Sequence, residues 1–114
     1  MDIYKKLIAL SEKHKRSTYV AQLAYVIFLV YDEISSIPDA SQEEFILACI
    51  VISSKYIDSL DSYLWVKDVV DDSLRRFRDV CYCEKRILQR LEWDIHRIYK
   101  TTFLHDDAHM ESDS

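Results

Sequence analysis

Residues 41–58 read SQEEFILACIVISSKYID, and this stretch decides the fold. The segment from Phe45 to Ile52 is apolar without interruption, which by periodicity alone fits a buried strand as well as a helix. Ser41 and Glu44 have the spacing of a capping box, which favours a helix start. A helix that is apolar on every side must be enclosed by other helices. We therefore predict a central buried helix at about residues 42–58.

The composition excludes several classes of protein. The 114 residues contain no Gly, no Asn and a single Pro, and this argues against tight β-hairpins and Gly-rich phosphate loops. A chain that is 49% hydrophobic and 31% charged is typical of one globular domain. The net charge of −5, without a basic block, argues against a nucleic-acid partner. The longest mostly apolar run, residues 19–31, is too short to span a bilayer, so no membrane partner is expected.

The rest of the pattern also indicates helices, and we predict an all-α fold, a five-helix bundle. The four further helices are expected at 2–14, 18–35, 62–71 and from Asp72 or Ser73 to about 95. On the last of these, one predicted inward stripe contains Phe77, Val80, Cys81, Leu88 and Leu91. Residues 1–96 form the expected domain, and residues 97–114 are a C-terminal extension expected to be partly disordered.

Two charged residues lie where the pattern predicts an apolar or crowded surface. Lys55 ends the central helix, and Glu84 lies in the middle of the stripe on the last helix. A desolvated charge needs a partner, either inside the domain or on another protein. One reading pairs Glu84 internally with Lys55 or Arg86. The other reading makes Lys55 and Glu84 part of a surface that binds another protein.

At these residues the sequence resembles the cyclin box, the five-helix domain of cyclins. The family's third helix typically carries Ala-Ser-Lys followed by an aromatic residue, and the segment 53–58 here reads SSKYID. Its fifth helix carries a Glu, two Leu-type positions and an aromatic-acid-aliphatic ending, which correspond here to Glu84, Leu88, Leu91 and residues 93–95. The spacing between Lys55 and Glu84 also matches. The resemblance covers about residues 4–96.

The resemblance implies a function without chemistry of its own. In cyclins this Lys and Glu bind a cyclin-dependent protein kinase beside its mobile regulatory helix and hold that helix in the active position. The partner-binding residues implied for this chain are Lys55, Glu84, Tyr56, Leu88, Trp93 and Ile95. The chain is then a regulatory subunit, not an enzyme, and needs no cofactor. It is expected to be a monomer when free and to be intracellular, in the nucleus or the cytoplasm.

Two departures from the family pattern keep other functions open. The Met-Arg segment that begins the family's first helix is missing, and there is no second cyclin box. A minimal box of this kind could bind a kinase without activating it and act as a decoy. A further alternative is a cyclin-fold adaptor that binds a different protein, because this fold is shared by proteins with other partners.

The cysteines and histidines predict no metal site. Cys49 lies on the central helix and is expected to be buried and inert. Cys81 is expected to behave in the same way, and Cys83 is expected to be the more reactive thiol. Cys81 and Cys83 point in different directions on a helix and cannot share a metal. His105 and His109 have a zinc-like spacing but no evident third ligand.

Overall fold

The computed structural model describes residues 2–59, 62–91 and 95–103. Within them, the chain is all-helical, which confirms the predicted fold class. The α-helices are α1 (Ile3–Lys13), α2 (Thr18–Ser35), α3 (Gln42–Ile57), α4 (Val66–Val69), α5 (Leu74–Leu91) and α6 (Ile95–Phe103). A 3₁₀ turn, Asp39–Ser41, leads into α3. The described residues therefore form six α-helices, one more than the sequence predicted.

Helix α3 is the centre of the bundle, as predicted. Every residue from Phe45 to Ser54 is buried, and α1, α2, α4 and α5 pack around it. The hydroxyl of Ser53, which is fully buried, donates to the backbone oxygen of Val20 at 2.6 Å and joins α3 to α2. Burial of one Ile side chain contributes about 1.5–3 kcal/mol, so this continuous apolar run supplies much of the folding energy.

The start of α3 differs from the prediction. Ser41 makes no capping hydrogen bond from its side chain, so the capping box is not formed. Ser41 is instead the last residue of the 3₁₀ turn, and the amide of Ser41 donates to the carbonyl of Pro38. At α5 the expected cap is present, because the Ser73 hydroxyl accepts from the amide of Arg76 at 3.1 Å.

Helix α5 turns a different face to the core than predicted. Its buried residues are Val80, Cys83, Ile87 and Leu91. Of the predicted stripe, Val80 and Leu91 are buried, whereas Phe77 and Leu88 are exposed and Cys81 is half-buried. Helix α3 packs against the face of α5 that contains Cys83 and Ile87. This face is therefore turned to the core, and α5 is rotated about its axis relative to the prediction.

The chain after residue 60 is divided differently from the prediction. Helix α4 covers only Val66–Val69 of the predicted helix at 62–71. Helix α5 ends at Leu91, and α6 runs from Ile95 through a region assigned to the C-terminal extension. Ile95 and Ile98 of α6 are buried, and α6 packs against α2. The part of the predicted extension after residue 103 lies outside the described residues.

Three turns use the left-handed backbone conformation without glycine. Lys15, Ser36 and Asp71 have φ angles of 57°, 53° and 52°. Ser36 ends α2, where its amide donates to the carbonyl of Asp32, and the next amide donates to the Asp32 side chain at 2.8 Å. Such a conformation costs a residue with a Cβ roughly 1–2 kcal/mol. At these three turns, polar residues adopt the conformation for which glycine is usually used.

Among the described residues, no helix is both long enough and apolar enough to cross a membrane.

Candidate functional site

Lys55 and Glu84 meet in an ion pair that joins α3 to α5. Lys55 Nζ lies 2.8 Å from Glu84 Oε2, and the two side chains are 35% and 13% exposed. The sequence left open whether Glu84 pairs with Lys55 or with Arg86. Arg86 instead donates to the hydroxyls of Tyr31 and Tyr82, at 3.4 and 3.0 Å. The two residues singled out from the sequence are thus brought together, with Lys55 the more accessible of the two.

Trp65 lies against the same lysine. The Lys55 ammonium is 5.7 Å from the centroid of the Trp65 ring, within the range of a cation–π contact. Trp65 is 52% exposed. Leu64 and Val66 on either side of it are buried. This alternation is the signal that could have identified Trp65 as an exposed residue, because successive residues of an extended segment point to opposite sides.

A polar network fixes the end of α3 next to Lys55. The Ser54 hydroxyl donates to Asp58 Oδ2 at 2.6 Å and accepts from the amide of Leu64 at 2.8 Å. Arg16 forms an ion pair with the same Asp58 oxygen at 3.6 Å. These bonds tie the segment that leads to Trp65 to the last turn of α3 and so hold Trp65 close to Lys55.

A shallow groove opens beside the ion pair along α5. It is lined by Cys81, Glu84, Lys85, Leu88 and Gln89. Leu88 is 39% exposed, so an apolar side chain lies one turn from the Glu84 carboxylate. Loss of solvent and the nearby Glu84 raise the pKa of the Cys81 thiol, and Lys55 opposes this shift. The groove therefore combines an ion pair with an apolar contact.

Tyr56 is held by α6. Its ring centroid lies 5.1 Å from that of Tyr99, and its hydroxyl forms a hydrogen bond with Nδ1 of His96. Loss of solvent, with a smaller contribution from Tyr99, raises the pKa of Tyr56. Tyr56 remains partly exposed and lies at the edge of the surface that contains Lys55.

Of the two remaining residues implied by the resemblance, the structure describes only Ile95. Ile95 is buried in the core at the start of α6, where it packs with the other apolar residues. A buried Ile95 cannot contact a partner without local unfolding. Trp93 lies outside the described residues.

The cysteines correct one prediction and agree with another. Cys49 is fully buried as predicted, and burial strongly raises the pKa of its thiol. Cys83 is also buried, and burial with a contribution from Glu44 raises its pKa to about 12. Cys81 is the more exposed of the α5 pair, so the expected order of burial of these two residues was wrong. The cause is the rotation of α5, which points Cys83 toward the core.

No metal site is evident in the part of the chain that the structure covers. No group of three or more His, Cys, Asp or Glu side chains in these residues could hold a metal ion. His105 and His109 lie outside the described residues.

No protein-family model, curated protein or solved structure matches the chain. The proposals below rest on the geometry of the surface and on the residues that carry the resemblance.

Proposed function

We propose that the chain is a cyclin-like regulatory subunit that binds a cyclin-dependent protein kinase. The contact is made by the Lys55–Glu84 surface, which we define as Lys55, Glu84, Leu88 and the exposed edge of Tyr56. Lys55 and Glu84 already pair with one another inside the domain, and the observation that carries the proposal is that Lys55 stays 35% exposed in this pair, beside the exposed side chain of Leu88.

The ion pair still has hydrogen-bonding capacity for a partner. An ammonium has three N–H donors, and a carboxylate has two oxygens that accept several bonds. Lys55 and Glu84 use one donor and one oxygen on each other. The remaining groups suit the backbone of a docked helix or loop, and Leu88 supplies an adjacent apolar contact. Polar groups of this kind fix the register of a complex, because a wrong partner leaves them desolvated and unsatisfied.

The proposal assigns no chemistry to the chain. A regulatory subunit acts by binding one conformation of its kinase more tightly than another, and this difference in affinity sets the size of its effect. The Lys55–Glu84 surface would stabilise the inward position of the kinase's regulatory helix.

A second candidate is a decoy that binds a kinase without activating it. One observation favours it. Ile95 is buried and α6 holds the ring of Tyr56, so two of the residues implied by the resemblance offer less contact area than a free surface would. A smaller contact provides less free energy to hold a mobile helix in place.

Binding of the purified full chain to a panel of purified cyclin-dependent kinases tests the proposal. We expect Lys55→Glu and Glu84→Lys each to weaken the complex by about 2–5 kcal/mol, as is typical when one member of an interfacial charge contact is lost. The matched control is the other ion pair between α3 and α5, Glu44–Arg76, with an N–O distance of 3.4 Å. Reversal of Glu44 or Arg76 should leave binding unchanged.

Thermal melts of the same variants separate loss of binding from loss of folding. The proposal that the chain binds a kinase is wrong if the wild type binds no kinase in the panel. It is also wrong if charge reversal at Glu44 or Arg76 weakens binding as much as Lys55→Glu does. Phosphorylation of a standard substrate by the complex then decides between the two candidates. A rise in rate supports the regulatory subunit, and binding without a rise supports the decoy.

A further inference from the structure

Helix α5 carries a second apolar stripe that the bundle covers only in part, because Leu74, Phe77 and Leu88 are exposed whereas Cys81 is half-buried and the Glu84 side chain is 13% exposed. It consists of Leu74, Phe77, Cys81 and Leu88, with Glu84 completing the spacing of three, four, three and four residues. Leu74 is 65% exposed and Phe77 is 37% exposed. At 100° per residue the five positions fall within an arc of about 80°, beside the buried face of α5. We refer to these five positions as the α5 seam.

The α5 seam has the geometry of a surface that packs against another helix. Alternation of three and four residues is the spacing of the contact positions in a coiled coil. The seam extends over about 21 Å, or four turns, at 1.5 Å per residue. An amphipathic helix can dock on such a surface through apolar residues at the same spacing.

The charges beside the seam indicate the sign of the partner. Arg78 and Lys85 follow its solvent edge seven residues apart, and both are exposed. Neither forms an ion pair within the residues that the structure describes. The acidic residues nearby, Asp71 and Asp72, lie in a shallow depression at the N-terminal end of the seam with Leu74 and Phe77. The long edge of the seam is therefore basic on a chain whose net charge is −5.

We propose that the α5 seam binds an acidic amphipathic helix of a partner protein. Such a helix would place apolar residues on Leu74, Phe77 and Leu88 and carboxylates opposite Arg78 and Lys85. A second copy of this chain is a poorer occupant, because two seams face to face would bring their arginines and lysines together. The seam shares Glu84 and Leu88 with the Lys55–Glu84 surface, but the inference goes beyond the kinase proposal, since three of the five seam positions lie on the N-terminal side of Glu84 and its test needs no kinase.

Synthetic peptides on the full-length protein test the proposal. The probe is a helical peptide of about 18 residues with Leu at the three-four spacing and Glu at the flanking positions. One control peptide has the same composition with the Leu positions shuffled, and a second carries Lys in place of Glu. Fluorescence anisotropy of labelled peptide gives the affinity, and amide shifts of the ¹⁵N-labelled protein locate the contact.

The variants are matched in net charge. Arg78→Glu with Lys85→Glu reverses the seam edge, and Arg75→Glu with Arg90→Glu makes the same change elsewhere on α5. We expect the seam pair to weaken the acidic peptide about tenfold, because two exposed ion pairs are lost. The control pair should change the affinity by less than about twofold. Phe77→Asp, at an exposed position, should also weaken binding.

Several results would overturn the proposal. The acidic peptide could fail to bind, or bind no better than the Lys peptide or the shuffled one. The two charge-matched pairs could have equal effects, which would indicate general attraction only. A dimer that Phe77→Asp dissociates in sedimentation would make a second copy the occupant. A tenfold gain in peptide affinity after removal of residues 104–114 would make the chain's own acidic segment the occupant, whereas unchanged affinity supports an external partner.

Discussion

Replacement of Lys55 by Met should destabilise the free protein more than replacement of Glu84 by Gln. The reason is the unequal burial of the pair, with Glu84 at 13% and Lys55 at 35% side-chain exposure. Without Lys55, the Glu84 carboxylate stays mostly buried and loses its hydrogen bond, at a cost of about 1–3 kcal/mol. Without the Glu84 charge, the more exposed Lys55 ammonium can turn to water, so we expect a cost of about 0.5–1 kcal/mol.

The double substitution should cost less than the sum of the two single ones. With Lys55→Met and Glu84→Gln combined, no charge is left buried at this contact, so we expect a coupling energy of about 1 kcal/mol. Urea unfolding followed by far-UV circular dichroism measures all four proteins of the cycle. Glu44→Gln and Arg76→Met provide the control cycle, and its coupling should be smaller because the distance is 3.4 Å and the Arg76 side chain is 40% exposed.

The reasoning would be refuted by additive single substitutions, within about 0.3–0.5 kcal/mol. It would also be refuted if Glu84→Gln cost more than Lys55→Met. Additive costs would mean that the pair does not hold α3 to α5 in the free protein. The reverse order of costs would mean that the unequal burial of the two side chains does not set the cost of losing each partner.

Three further predictions concern the core and its edges. Maleimide labelling of the folded protein, read by mass spectrometry, should modify Cys81 first, then Cys83 and last Cys49, because burial raises the pKa of the latter two most. Burial and Lys13 lower the pKa of His14, so the unfolding free energy should fall as pH decreases below about 6.5, and His14→Gln should flatten this slope in urea titrations. Ser54→Ala should cost about 1–3 kcal/mol in the same titrations, since a buried amide loses its acceptor.

Each of these predictions has a contradicting result. Labelling of Cys83 before Cys81 would mean that α5 is rotated as the sequence analysis expected. The same pH slope in wild type and His14→Gln would assign the acid sensitivity to other groups. A neutral Ser54→Ala substitution would mean that water or another acceptor satisfies the Leu64 amide in place of the hydroxyl.

The sequence was sufficient to predict a helix and its buried residues where the apolar pattern, taken with the composition, was unambiguous. The apolar run in α3 fits a buried strand or an enclosed helix, and the lack of Gly and Asn favoured the helix that the structure shows. Helices α1 and α2 begin and end within about one residue of the expected positions. It was insufficient for α5, which has two apolar stripes roughly a quarter of a turn apart. Phe77 and Leu88 are larger than Cys83, so hydrophobicity favoured the wrong stripe. Only the position of α3 decides which one packs inward.

The candidate site, too, was predicted only in part from the sequence. Lys55 and Glu84 stand out in the sequence because each charge interrupts an apolar pattern. Their contact with one another depends on the angle between α3 and α5, which the pattern does not contain. Helix α6 was missed because His96 and Lys100 dilute a short apolar repeat whose packing partner, α2, is distant in the chain.

The enclosure of α3 has a consequence for any ligand that meets Lys55. Because every residue from Phe45 to Ser54 is packed on all sides, α3 cannot tilt or slide without opening the core. The Lys55 ammonium is therefore carried by the end of a rigid helix, and the backbone loses little conformational freedom when a ligand binds to this group. Adjustment of shape on association would fall to the other molecule. A ligand that is flexible in solution loses conformational entropy when it binds to such a fixed cation. Peptides that are already helical in solution should therefore bind faster and with higher affinity.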